Sequence, residues 1–386
     1  MRRALSAVLH RVQRVLAVVS RRVHRGRVPR RPVSWVVGTV EIASMVAQFA
    51  RAVPDSYSAV LAPNRYYDFV YDFEIRPGPG ARLRYWFLAP WEFGRLAATA
   101  RGFVYVGANG FLLDEVDDRD WEFGFLRRHG IPVVCLFTGS DIRSPVLMRR
   151  FQERTGHETI VTYLDQVSPV LASPGYDDLR RRIAVVADRH ASLVFTAAVD
   201  QLSYLERPTE PFPYFFPDGD VVESTAKHEA PGRRIVVHAP SSPIIKGTQV
   251  VRAAVARLRS EGYDFEYREL VGVPNSEVLA ALREAHIVLN EFYAFVPGVF
   301  GVEAMASGCA LLTSADETIE TDLPPGSNSA WVVTTAGDVQ ENLRRLLDRP
   351  ELIGPQAAAG LDWVREHATV SASGARIRRL LDALDG

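Results

Sequence analysis

The sequence predicts an α/β fold of two Rossmann-like doubly wound domains facing a cleft, preceded by a basic amphipathic helix. Three observations lead there: the length of 386 residues, a repeated alternation of apolar strand-like runs with helical stretches, and a charge-segregated N-terminus. A chain this long exceeds one ordinary core and suits two domains of about 150–200 residues. With 47% hydrophobic residues, 24% charged residues and a net charge of −1, the composition is that of a globular protein and excludes a disordered one. A near-neutral chain has no overall field for a polyanion, so no nucleic-acid partner is expected. Cys135 and Cys309 lie in apolar runs of different halves. They read as buried free thiols in a reducing compartment, with no disulfide framework and no cysteine metal site.

Residues 1–31 hold ten arginines and no acidic residue. Leu5, Val8, Leu9, Val12, Val15, Leu16, Val19 and Val23 form a stripe of helical period, with Arg3, Arg11, Arg14, Arg21 and Arg25 on the other face. The longest apolar run, Val15 to Val19, is too short for a signal peptide or a spanning helix. One reading lays this helix on an anionic membrane surface. The plainer one packs it on its own protein or a partner with a solvated arginine face, and a misassigned start or a nucleic-acid tail is a third. A break is expected at Val28 to Pro32.

The body of the first domain, residues 32–225, opens with a strand at Val33–Val37 ending at Gly38, followed by a helix over Glu41–Ala52. Further strands are expected at Phe103–Val106, Ile131–Phe137 and Leu193–Thr196, with helices near Trp91–Ala100 and Asp120–His129. Strand and helix in alternation imply a parallel sheet covered on both faces. A proline- and aromatic-rich stretch at Pro208–Pro217 and a polar one at Asp218–Gly232 mark the domain boundary.

The second domain, residues 226–350, repeats the pattern: strands at Arg234–His238, Phe265–Leu270, Ile287–Asn290 and Ala310–Thr313, with helices at Thr248–Ser260, Ser276–Ala285 and Phe300–Ala306. The last helical stretches, Glu351–His367 and Ser373–Leu384, are placed to cross back to the first domain. Ligands of such sheets bind outside the carboxyl ends of the strands, where a turn enters a helix N-terminus.

Two turns of this kind stand out. The first is HAPSSPIIKGT at 238–248, with Ser241 in the turn and Lys246 and Gly247 at the helix start. Only two of the 45 lysine and arginine residues are lysines, so an ammonium at Lys246 carries more weight than a lysine in a turn ordinarily would. Beside helix-start amides it suits a diphosphate, and its plain reading is a solvent-facing side chain. The second is PGVFGVEAMASG at 297–308, where Gly298, Val299, Phe300 and Gly301 open a helix and Glu303 sits one turn in. Glycines there let backbone approach an anion. A carboxylate at that depth accepts from two ribose hydroxyls, or simply complements the helix dipole.

These segments, with the AHIVLNEF strand between them, resemble the donor-binding half of glycosyltransferase family 4, the retaining GT-B enzymes. The resemblance implies that Lys246 contacts the donor diphosphate and Glu303 the ribose, with amides around Val299–Gly301 on the phosphate. In the first half, LRRHGIPVVCLFTGSDIR at 126–143 is similar to the family's strand and cleft-facing loop, and Gly38 and Thr39 stand where its phosphate-side glycine loop would be. Three positions depart from the pattern. Thr138 replaces a common histidine, no arginine lies between Ala239 and Lys246, and Phe295 replaces the first glutamate, with Glu291 nearby.

Asp141, beside Arg143, is either a local salt bridge or turn cap, or a ligand for sugar hydroxyls. His129, His157 and His190 show no paired metal spacing, so no metal is assigned. The expected activity is transfer of a sugar from a nucleotide-sugar donor (UDP-, GDP- or ADP-sugar) with retention, with no tightly bound cofactor. Lys246, Glu303, Thr138 and Asp141 are its candidate catalytic residues. The expected acceptor is a glycan or lipid-linked molecule, and the expected location is cytoplasmic, peripheral on the inner face of the membrane. The alternative is a catalytically weakened GT-B protein acting as a nucleotide-sugar sensor at the membrane.

Overall fold

The structure is a computed structural model that describes residues 2–27, 31–230 and 232–385. The expected break at Val28–Pro32 falls largely on residues 28–30, outside the described residues. In the first half the order is α1 (Arg2–His24), β1 (Trp35–Val40), α2 (Met45–Ala52), β2 (Tyr57–Ala62), β3 (Phe73–Glu74), α3 (Ala81–Leu96), β4 (Gly102–Val106) and α4 (Asp120–Arg128). There follow β5 (Val133–Leu136), α5 (Pro145–Thr155), α6 (Leu164–Val167), α7 (Pro174–His190), β6 (Leu193–Thr196) and β7 (Glu210–Pro211). The second half runs β8 (Arg234–His238), α8 (Thr248–Ser260), β9 (Phe265–Glu269), α9 (Asn275–Glu284), β10 (Ile287–Leu289), α10 (Gly298–Ala306), β11 (Ala310–Thr313), β12 (Val332–Val333), α11 (Val339–Asp348), α12 (Ile353–His367) and α13 (Val370–Asp382).

The seven strands of the first sheet pair in the order β3-β2-β1-β4-β5-β6-β7, and the five of the second in the order β12-β11-β10-β8-β9. Among the described residues every strand pairing in the two sheets is parallel, for example Val36 with Tyr57 and Val236 with Tyr267. Each sheet therefore has one place where the strand order reverses: between β1 and β4 in the first, and between β8 and β10 in the second. Loops leave such a crevice on the carboxyl side, and a ligand is held there. In the second sheet those loops are 239–247 and 290–297, which contain Lys246 and Glu291.

The first sheet departs from expectation in instructive ways. β1 begins two residues later than expected, so Gly38 and Thr39 are strand residues rather than a phosphate loop. Gly38 is required by packing: a Cβ there would lie 2.4 Å from the Ala59 carbonyl oxygen of β2. Thr39 is buried and donates to the Asn109 carbonyl at 3.0 Å. The helix expected from Glu41 starts at Met45 instead. Glu41 is its cap, accepting from Val46 N at 3.2 Å and Ala47 N at 3.1 Å. α3 begins ten residues before the expected Trp91 and runs through Pro90. Pro90 removes one backbone donor from the helix, and α1 packs against it.

The N-terminal helix turns out to pack on its own protein, but not through the stripe that would be expected to pack. Its buried residues are His10, Gln13, Ala17 and Ser20, while Leu5, Val8, Val12, Val15, Val19 and Val23 are exposed. α12 packs on α10 and β11 of the second domain. α13 packs on the first, where Ile377 and Leu381 join the core around Trp35, Val37 and Phe49 and Arg378 donates to the Ala52 carbonyl at 2.6 Å.

Candidate functional site

The cleft between the two sheets holds a cavity of about 520 Å³ lined from both domains, a size typical of sites for small ligands. The second domain contributes Ser241, Lys246, Asn275, Glu291, Gly298, Val299, Phe300 and Glu303. From the first come Ile42, Ala43, Tyr66, Tyr67, Thr138, Gly139, Ser140 and Arg143.

Lys246 is placed by a turn that His238 pins down. The His238 ring, fully buried, donates from Nδ1 to the Leu289 carbonyl at 2.7 Å and takes the Thr248 hydroxyl on Nε2 at 2.9 Å. Burial holds that imidazole down at about 4, so it is a neutral strut. Gly247 caps α8 with φ 77 and packs on Phe292 and Tyr293. It sets the turn but does not line the cavity.

The Lys246 ammonium is paired with the buried Glu291 carboxylate. Burial pushes the Glu291 carboxyl up and Lys246 opposes the shift. Gly298 is needed beside this pair. It sits at φ 63, and a Cβ there would lie 2.8 Å from Glu291 Oε1. Asn290 fixes the loop from below, donating to the Pro297 carbonyl at 2.7 Å and to the Thr313 hydroxyl at 3.2 Å.

α10 points its first turn, Gly298 to Phe300, into the cavity, an end that favours negative charge. Gly301 is one step too far round. It faces the wall, where a Cβ would crowd Asn290 Nδ2 at 2.9 Å and Pro297 at 3.1 Å, so its role is packing rather than phosphate contact. Glu303 reaches the cavity one turn in, with Oε1 accepting from Asn275 Nδ2 at 2.9 Å. Burial pushes its carboxyl up to about 7, only partly offset by that hydrogen bond.

Of the first-domain candidates, Thr138 lines the cavity and Asp141 does not. The Asp141 carboxylate is turned onto its own loop, accepting from Thr138 N at 3.0 Å and Gly139 N at 2.7 Å. It is a turn cap, which corrects its placement among catalytic residues. Gly38 and Thr39 lie inside β1, and the cavity is lined instead by Ile42 and Ala43 just beyond. Arg143 pairs with Asp200 rather than Asp141.

The sequence reading missed the residues that join the two domains. Asp200 Oδ1 accepts from Phe295 N at 3.0 Å, so position 295 acts through its backbone. Glu320 accepts from the amides of Ala198, Val199 and Asp200 at 2.9, 2.9 and 2.7 Å, and burial pushes its carboxyl up to about 7. Asn275 N donates to the Tyr66 carbonyl at 3.1 Å, across the cleft. No local signal marks such pairs, because their partners are far apart in the chain. Among the described residues, no group of three or more His, Cys, Asp or Glu side chains is arranged to hold a metal ion.

This architecture is GT-B: two parallel-sheet α/β domains facing a cleft, with the second built around a helix N-terminus and a lysine turn. Residues 221–382 match the family model described as Glycosyl transferase-like. Among solved structures, a sucrose-phosphate synthase from Thermosynechococcus elongatus superposes with a TM-score of 0.57 at 15% identity, covering 92% of this chain and 99% of that one. WaaG, a glycosyltransferase involved in lipopolysaccharide biosynthesis, gives 0.52 at 12%, covering 92% and 100%. Anabaena HepE in complex with UDP-glucose gives 0.51 at 13%, covering 90% and 99%. No curated protein matches the sequence. At these identities the likeness to solved structures is one of fold.

Proposed function

We propose that the chain transfers a sugar from a nucleotide-sugar donor to an acceptor with retention, in the manner of family 4. One observation supports this above all. Lys246, the first turn of α10 and Glu303 line one wall of a single cavity, and the Thr138–Ser140 loop of the other domain lines the opposite wall. Placed along that wall, a donor has its diphosphate between the ammonium and the helix end, and its ribose hydroxyls on Glu303.

The sugar then faces the Thr138 loop, where an acceptor hydroxyl enters. The bond from the anomeric carbon to the diphosphate oxygen breaks as the acceptor oxygen bonds to the same face of that carbon. The acceptor proton passes to the departing phosphate oxygen. In this scheme the chain's contribution is orientation and charge, with Lys246 offsetting the negative charge that grows on the leaving group. The acceptor is a glycan or lipid-linked molecule presented at the inner face of the membrane. Relatives in fold with UDP-glucose bound make a UDP-sugar the first donor to try.

The test is calorimetric titration of the full chain with UDP-, GDP- and ADP-sugars, followed by an assay for hydrolysis of the tightest. One donor that binds and is slowly hydrolysed supports a transferase. Tight binding with no turnover on any acceptor would support a sensor instead, and no binding by any nucleotide would end both readings.

A further inference from the structure

The N-terminal helix presents its apolar stripe to solvent, and this is not a lone oddity. Of the sixteen large apolar side chains exposed among the described residues, ten lie on α1 and α3. On α1 these are Leu5, Val8, Val12, Val15, Val19 and Val23, with Val15 61% exposed. On α3 they are Leu83, Phe87, Leu88 and Trp91, with Leu83 55% exposed. Scattered apolar side chains are ordinary on a protein surface, whereas a cluster on one helix pair marks an interaction surface.

The pair is rigidly joined. Ser20 Oγ donates to the Trp91 carbonyl at 2.6 Å, Gln13 Nε2 to the Tyr85 carbonyl at 3.5 Å, and Arg21 Nε to the carbonyl of Ala97, just past the end of α3, at 3.1 Å. Gly94 permits the close crossing, since a Cβ there would lie 2.2 Å from the Ala17 carbonyl oxygen. His10, Gln13, Ala17 and Ser20 fill the seam and Leu9, Leu16 and Val18 are half-buried, which leaves Leu5 and the five exposed valines of α1 for something else. The Trp91 ring sits 5.9 Å from that of His24, the neighbour of Val23, which brings the two exposed rows together at that end.

Charge selects the occupant. Two arginines of α1 are taken up by the protein, Arg14 over the Trp121 ring at 5.0 Å and Arg21 on Ala97. Arg11, Arg22 and Arg25 are exposed, and no carboxylate among the described residues pairs with them. Arg11 neighbours Val8 and Val15 on the helix surface, and Arg22 neighbours Val19. A second copy of the same surface would set arginines against arginines. An anionic leaflet would take the apolar rows into its acyl boundary and the arginines into its headgroups.

We propose that α1 and α3 together form one fixed membrane-docking face for an anionic bilayer. The inference deepens the inner-membrane reading above, while its evidence is independent of the sugar chemistry. It also places that face near the acceptor side of the cleft. Gln13 holds Leu113 in the loop after β4, and the same loop meets β1 where Thr39 donates to Asn109.

The experiment uses the full chain. Both native cysteines are buried, so single substitutions Val15→Cys and Phe87→Cys can be labelled with an environment-sensitive dye. Both dyes are expected to shift to the blue with vesicles containing phosphatidylglycerol, and neither with phosphatidylcholine alone. Arg11→Glu/Arg22→Glu should lower partitioning on the order of tenfold or more at moderate salt. Phe87→Ser/Leu88→Ser should also lower it, with melting and nucleotide titration unchanged. A shift at Val15 but not Phe87 would overturn the composite face, and binding indifferent to lipid charge would overturn the choice of partner. A lipid-free dimer dispersed by Phe87→Ser/Leu88→Ser would replace the membrane with a second copy. Nucleotide titration on the same samples keeps failure of the donor site distinct from failure of this surface.

Discussion

Lys246→Ala is the most informative single change, because the lysine pairs with buried Glu291 and, in the function proposed above, also holds the donor diphosphate. As the cation on a diphosphate it contributes a charge-assisted contact of roughly 1.5–3 kcal/mol, so affinity for the nucleoside diphosphate should fall about ten- to a hundredfold. As the partner of buried Glu291 it also contributes to the fold. Breaking a fully buried pair costs about 3–5 kcal/mol. The lysine side chain is 26% exposed and water screens it there, so roughly 1–3 kcal/mol is the better expectation, or several degrees of melting temperature for a domain of this size. The two effects separate in the double variant Lys246→Ala/Glu291→Gln, which removes the stranded carboxylate. Its melting temperature should recover most of the loss while diphosphate affinity stays low, and binding of the free nucleoside should match wild type throughout. Differential scanning fluorimetry and titration on the same samples read both. If the double variant melts like wild type and binds the diphosphate like wild type, Lys246 is only a structural partner of Glu291 and the donor-site assignment is wrong.

Glu303 should make nucleoside binding depend on pH. Its carboxyl sits at about 7 and only the ionised form accepts from two hydroxyls, so affinity should rise as pH goes from about 6 to about 8 and flatten in Glu303→Gln. Stability should run the other way. Glu41, Glu122, Glu303 and Glu320 are each raised to about 7, so the folded state holds more protons than the unfolded chain above the ordinary value of 4.5. Stability is then lost as pH climbs from there through about 7, and a melting temperature that rises over that range would contradict the placement of these groups. Asp141→Asn should cost about 1 kcal/mol of stability through its weakened turn cap and slow transfer by loosening the Thr138 loop, leaving nucleotide affinity alone; a parallel fall in affinity on titration would refute that division. Asn275→Ala should weaken nucleoside binding roughly three- to tenfold by freeing the Glu303 carboxylate, and unchanged nucleoside affinity on calorimetric titration would show that Asn275 does not position it.

Much of the second domain was legible because its strands are short, apolar and bounded by polar turns. α8 and β11 have the bounds their periodicity predicts. Lys246 and Glu303 stood out from local spacing and from the scarcity of lysine. What could not be read depends on contacts between distant parts of the chain. β1 is displaced because Gly38 packs against a strand more than twenty residues away. Asp141 looked like a cleft residue because its loop reaches the cleft, although its side chain turns back. The seam of α1 was not legible for a physical reason: an apolar stripe normally marks the side packed on the protein, and here His10, Gln13, Ala17 and Ser20 take that place.

The domain-joining residues tie the loops of the two halves together. Asp200 receives Arg143 on Oδ2 and Phe295 N on Oδ1, and Glu320 gathers the amides at positions 198–200. Arg143 belongs to the loop that begins at Thr138, and Phe295 to the loop that begins beside Glu291. One buried carboxylate therefore ties the loop that begins at Thr138 to the loop whose Glu291 pairs with Lys246. The side chain at position 295 is buried away from the cavity, packed on Phe151 at 5.6 Å between ring centres, and leaves only its amide for the tie. In the scheme proposed above, negative charge growing on the leaving group would be offset by Lys246 and the end of α10, and alignment of acceptor with donor would depend on Asp200. Loss of Asp200 should consequently lower turnover far more than nucleotide affinity, whereas loss of Lys246 lowers both.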